Sequence, residues 1–223
     1  MRKSWWKIVC VILLIYTVVG GFLFAVPRLN IVNETIRVLY FHVPMWFGMI
    51  ALFLFSLIYA VSYLRTNKLE YDLASNELAH VGVMFGLLGI FSGMIWANYA
   101  WGSPWHGDAK QNGSAISTLA YLIYFVLRGS LNNEEQRARF SAVYNIFAFA
   151  VMIPLIFIYP RMVDSLHPGN GGNPGFNTYD LDSRMRMVFY PACIGWILLG
   201  FWIATIRIRA RFIEETILDQ ENE

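Results

Sequence analysis

Trp5-Trp-Lys-Ile-Val-Cys-Val-Ile-Leu-Leu-Ile-Tyr-Thr-Val-Val-Gly-Gly-Phe-Leu-Phe-Ala-Val26 decides the fold class. Lys7 is its one charge, and an apolar helix of about 20 residues is what a bilayer core requires. Arg2, Lys3 and Lys7 lend it the look of a secretory leader. Its apolar run is longer than the core of a leader, about 7–15 residues, and no small-residue cleavage site follows. We read it as a retained span. Five more segments share its character: Phe41–Leu64, Glu77–Ala100, Lys110–Arg128, Phe140–Tyr159 and Met187–Arg207. Together they predict an all-α polytopic membrane protein. It is a single domain over residues 1–223, with six transmembrane helices at about 5–26, 41–64, 77–100, 110–128, 140–159 and 187–207.

Composition agrees. Hydrophobic residues make up 57% of the 223 and charged residues 14%, against roughly 45–50% and 25% in soluble domains. Mean hydropathy is +0.47. A cytosolic enzyme, a nucleic-acid-binding domain and a disordered regulator are excluded. Cys10 and Cys193 both lie in apolar runs without CxxC or Cys/His spacing, so neither a disulfide framework nor a metal knuckle is expected. No internal repeat and no inverted pair of broken helices points to a secondary transporter.

Orientation follows from the basic residues. Arg2, Lys3, Lys7, Arg65, Lys68, Arg128, Arg137, Arg139, Arg207, Arg209 and Arg211 sit at one set of span ends, the majority of the 17. Arg28, Arg37, Lys110, Arg161, Arg184 and Arg186 sit at the other. Both termini are therefore expected in the cytoplasm. The outer connections are then 27–40, 101–109 and 160–186, while the inner connections and the tail Phe212–Glu223 read as solvated linkers.

The outer connections carry the chemistry. His42 lies at the outer mouth of the second span, and His167 precedes the turn-rich run Gly169-Asn-Gly-Gly-Asn-Pro-Gly175. Two neutral imidazoles approaching one site from distant segments is an arrangement that holds a haem iron axially. His106 is on the same face and remains a rival ligand, whereas His80 belongs to the inner end. Between them runs Trp96-Ala-Asn-Tyr-Ala-Trp101-Gly102-Ser-Pro-Trp105-His-Gly-Asp108-Ala-Lys110. An interfacial aromatic belt would account for the rings, but not for the embedded Asp108 or the Gly and Pro punctuation. Flat rings beside a carboxylate suit a planar amphipathic ligand. Haem propionates would need cations, for which Arg37 and Arg184 or Arg186 are favoured over Lys110 and Arg161. No Ser/His/Asp set, paired carboxylates or phosphate-binding G-x-x-x-x-G-K-[ST] loop is present.

Trp101-Gly102-x-x-Trp105-x-x-Asp108 resembles the WGxxWxWD signature of the tryptophan-rich haem-handling family of cytochrome c biogenesis (CcmC/CcsA). Arg37-x-x-Tyr40-x-His42-Val43-Pro44 before it and Leu166-His167 after it agree. Length and span order point within that family to the C component of the cytochrome c maturation system. There are departures: the third Trp is Gly107, His106 precedes it, and the usual Arg-Leu-Thr is Lys110-Gln111-Asn112.

The resemblance implies a protein of the bacterial cytoplasmic (inner) membrane, with a haem b site facing the periplasm. His42 and His167 would be the axial ligands, and Trp96, Trp101, Gly102, Trp105 and Asp108 would form the platform. It implies transfer of haem to a periplasmic chaperone, the E component. An ABC-type membrane and ATPase assembly and a small D-type subunit are further partners, with the lipid bilayer and no nucleic acid. No catalysis is expected of the chain alone; a haem-chaperone lyase role within the complex stays open. Competing readings are a haem exporter subunit, the larger synthase of the other biogenesis system, and a membrane cytochrome b.

Overall fold

The computed structural model describes residues 4–28, 32–168, 175–176 and 181–222, without the side chains of 215, 218, 219, 221 and 222. Every regular element among them is helical. Helix α1 spans Trp5–Leu23, α2 Leu39–Thr66, α3 Leu69–Trp101, α4 Ala109–Gly129, α5 Glu134–Ile153, α6 Tyr159–Met162 and α7 Ser183–Asn222. A 3-10 turn, Asn33–Val38, leads into α2, and a π-helical turn, Pro154–Ile158, joins α5 to α6 as one continuous rod. Five helices are long and apolar enough to cross a membrane. The fourth expected span, α4, has the length at 21 residues. Its first half, Lys110-Gln-Asn-Gly-Ser-Ala-Ile-Ser-Thr118, is polar, and Gln111, Ser117 and Thr118 are buried in the bundle.

Consecutive long helices run antiparallel, so α2 and α7, which also pack together, run parallel. Trp6 meets Trp202 at a centroid separation of 6.3 Å, while Gly20 abuts Val188, so the chain termini share one end. His42, Asp108 and His167 share the other. The surface towards lipid is apolar, and a mainly apolar interior encloses a few hydrogen-bonded polar side chains. Ile8, Ile12, Phe22, Phe91 and Val126 face outward. Asn145 donates to Ser56 at 2.7 Å and Ser75 at 3.0 Å, and accepts from the Tyr121 hydroxyl at 3.1 Å.

The α2–α3 contact sets the height of everything on the site end. Small residues let transmembrane helices approach closely, and α3 places Gly82, Gly86, Gly89 and Gly93 along one face. Side chains of α2 lie on them: a Cβ at Gly82 would come within 2.5 Å of Phe53, at Gly86 within 3.0 Å of Met49, at Gly89 within 2.8 Å of Trp46, and at Gly93 within 2.7 Å of His42. Below, Phe53 stacks on Tyr121 with centroids 3.5 Å apart.

Three expectations change. The tail 212–223 is not a loose linker: α7 continues to Asn222, because Arg, Ala, Ile, Glu and Leu are good helix formers and no Gly or Pro follows Gly200. The third span begins at Leu69 rather than Glu77, since Glu70 and Asp72 favour a helix N-terminus. The outer connection 27–40 contains the 3-10 turn, and α2 already starts at Leu39. Most of the turn-rich run 169–175 lies outside the described residues. Cys10 and Cys193 are free thiols, buried and half-buried.

Candidate functional site

His42 projects from the first turn of α2 against Gly93 and is buried. The Trp46 indole N–H donates to its Nε2 at 3.3 Å. Nδ1 therefore carries the hydrogen of a neutral ring and donates to Ser92 Oγ at 3.0 Å. The Ser92 hydroxyl in turn donates to the Leu88 carbonyl at 2.8 Å. The tautomer is thus set by a chain of three donors. Trp96 meets the imidazole edge-on, with centroids 6.0 Å apart, and its own Nε1 is buried without a partner among the described residues.

The second half of the site is built on Asp108. Helix α3 stops where Gly102 adopts φ +80°, and its N–H closes on the Asn98 carbonyl at 3.1 Å. The chain turns again at Gly107, φ +70°, a left-handed conformation that a Trp would occupy only under strain. Asp108 then caps α4, its Oδ1 accepting the Lys110 N–H at 2.9 Å. The same carboxylate takes the Leu166 N–H at 2.7 Å and the His167 Nδ1–H at 2.8 Å. Asp108 is 2% exposed and His167 26%, so the carboxylate is the inner, orienting partner and the imidazole the outer one. A carboxylate can only accept here, which leaves the ring's lone pair on Nε2.

Burial opposes ionisation of Asp108. The hydrogen bonds and charge of His167, with the Leu166 and Lys110 N–H groups, more than offset it and hold the carboxyl well below the ordinary carboxylate range.

Trp101 stands edge-on to His167, centroids 5.1 Å apart, and to His106 at 6.0 Å. The loop beneath is tied by the two residues that depart from the family pattern. Gln111 accepts the His106 N–H at 3.0 Å and donates to the Pro104 carbonyl at 3.4 Å, and Asn112 donates to the Gly107 carbonyl at 2.9 Å. Lys110 Nζ donates to the Pro168 carbonyl, joining this loop to the His167 segment.

The structure therefore gathers His42 with Trp96, and His167 with Asp108, Trp101 and, through Pro168, Lys110, while Gly102 ends α3. Trp105 and Arg184 are exposed and stand apart from these contacts. Arg37 is engaged at the end of α1, donating to the Gly21 and Phe24 carbonyls at 2.9 and 2.8 Å and pairing with Glu34 at 2.8 Å. His80 lies towards the terminus end against Phe125. Sequence reading overlooked Trp46, Ser92, Gln111 and Asn112. Trp46 was detectable as the residue one turn below His42, and the others only once the helices were paired.

A family model described as heme exporter protein C matches residues 1–222. The heme exporter protein C of Haemophilus influenzae is 23% identical over 183 residues, 82% of this chain and 74% of that one. Its counterpart in Bradyrhizobium diazoefficiens is 26% identical over 136 residues, 60% and 51%. The cytochrome c biogenesis protein CcsA of Pelargonium hortorum is 36% identical over 88 residues, 39% of this chain and 28% of that one. The chain thus spans little more than a quarter of the CcsA relatives it matches.

Proposed function

The chain belongs to the heme exporter protein C (CcmC) family, and from that premise we propose that it binds haem at the His42/His167 end of the bundle and hands it to a periplasmic chaperone during cytochrome c maturation. The observation that carries the reading is the Asp108–His167 hydrogen bond. A carboxylate holding Nδ1–H orients an imidazole and raises the basicity of its other nitrogen, as in the carboxylate–histidine pairs behind metal ligands. His42 has the matching arrangement with a hydroxyl, Ser92, in place of the carboxylate.

Haem is the cargo, and this chain's residues hold and release it. His42 and His167 supply Nε2 lone pairs from separate segments. Trp96, Trp101 and Trp105 offer apolar surface to the macrocycle, and the buried Trp96 N–H is a donor for an acceptor on its rim. Lys110, tied to the His167 segment through the Pro168 carbonyl, is the cation we assign to a propionate, with Arg184, exposed at the start of α7, as the second. Arg37 serves them less well, because the α1 carbonyls and Glu34 already hold it. Trp46 competes with iron for the His42 lone pair, so loading costs one hydrogen bond and release restores it. One ligand backed by a carboxylate and one edged by a competing protein donor suit a carrier that must hold its cargo and then let go. Partner chains would be the chaperone E component and the ABC-type assembly, with the site at the periplasmic face of the inner membrane.

The test is an absorption spectrum of detergent-purified protein given haem, wild type beside His42→Ala and His167→Ala. Six-coordinate haem in the wild type, altered in both variants, is the expected result. Unaltered spectra in both would refute the ligand assignment.

A further inference from the structure

At the opposite end of the molecule, Ser4, Trp6, Lys7, Thr205, Arg209 and Phe212 line a cavity of about 340 Å³ between α1 and α7. Helix α7 divides its cations by face. Arg207 and Arg211 turn to the buried Glu77, at 2.7 and 3.7 Å, and Arg211 also pairs with Glu214 at 2.7 Å. Arg209 is two residues from each, about 200° round the helix, and faces the cavity. Its Nε is buried with no hydrogen-bond partner among the described residues. Lys7 leans over two indoles, its Nζ 5.8 Å from the Trp6 centroid and 5.2 Å from that of Trp202. Among the described residues, no carboxylate lines the cavity.

A half-buried pair of cations without a counter-charge is costly unless an anion completes it. The setting says which anion. Trp5, Trp6 and Trp202 mark this level as a membrane–water interface. Exposed Ile8 and Ile12 on α1 and Ile194 on α7 continue from it as an aliphatic surface towards the bilayer core. We propose that this cleft binds the phosphate headgroup of an anionic phospholipid, Lys7 and Arg209 holding the phosphate while the acyl chains run along α1 and α7. Basic pockets between transmembrane helices hold anionic headgroups in this way. The proposal is independent of the haem reading and uses none of its residues.

The experiment is native mass spectrometry of the full chain released from micelles holding equimolar dioleoyl phosphatidylglycerol and dioleoyl phosphatidylcholine. The wild type should retain the anionic phosphatidylglycerol preferentially. Lys7→Gln with Arg209→Gln should cut that preference by about thirtyfold, since each cation near a membrane surface is worth about fivefold. Arg65→Gln with Lys68→Gln, removing equal charge from the same end, should leave it intact. Equal retention of the two lipids by the wild type overturns the proposal even if the Lys7/Arg209 variant cannot be purified. So does an equal loss in both double variants. A thermal stabilisation by millimolar inorganic phosphate that matches that of the lipid would make this a free-anion site, and also overturns it.

Discussion

Asp72 and Asp108 are both buried carboxylates at helix starts, one at each end of the bundle, and they are used differently. Asp72 takes a bidentate grip from Arg128 at 2.8 and 2.6 Å. Asp108 takes an imidazole and two backbone N–H groups. A guanidinium never deprotonates and has no lone pair to offer, so the Asp72 pair can only fasten α3 to α4. An imidazole held at Nδ1 still has a nitrogen for something else. The Asp72–Arg128 pair is thereby closed chemistry, and the Asp108–His167 pair is left able to bind.

The sharpest test removes the fastening. Arg128→Ala strands a buried carboxylate and should cost about 3–5 kcal/mol, read as a large fall in thermal midpoint in detergent with no specific effect on the haem spectrum of whatever remains folded. Asp108→Asn should do the reverse. Asparagine still caps a helix, so the midpoint should fall by less than in Arg128→Ala, while haem affinity in a titration falls about 10–100-fold. Equal destabilisation in the two variants would erase the distinction between the ends.

Trp46→Phe sharpens it from the other direction. Freeing the His42 lone pair should strengthen haem binding by about fivefold, the worth of one net hydrogen bond, and a weaker site would show that Trp46 supports the ligand rather than competing for it.

The smallest effect is in pH. The carboxyl of Asp108 is held below its unfolded value, so its contribution to folding is complete above about pH 4. It is lost only as the pH falls further towards that depressed value. Near-ultraviolet circular dichroism of the tryptophans should stay constant between pH 8 and 5, and a transition there that Asp108→Asn abolishes would contradict the linkage.

Much of this was readable beforehand, and unevenly. Apolar runs located the spans because the bilayer demands length and hydropathy together. His42, His167 and Asp108 stood out as rare polar groups at one set of ends. Ser92 and Gly93 did not, since a serine and a glycine inside an apolar helix acquire meaning only from what α2 lays against them. Gln111 and Asn112 read as departures from a motif, yet they are the side chains that tie the loop. Gly107 read as a lost ring, and its positive φ shows a turn that a Trp would strain. The tail read as a linker because charge was taken for solvation, whereas its residues are good helix formers.

The glycine face of α3 has one more consequence. From Phe53 to His42 the ladder of rings on glycines spans eleven residues of α2, about 16 Å at the helical rise. No rung can move without moving the others. The ladder is a depth gauge: it sets the imidazole at a constant height above the stacked Phe53–Tyr121 pair, whatever the thickness of the surrounding bilayer. A thinner or thicker membrane can tilt the bundle, but the ligand's depth within the protein stays as the backbone measures it.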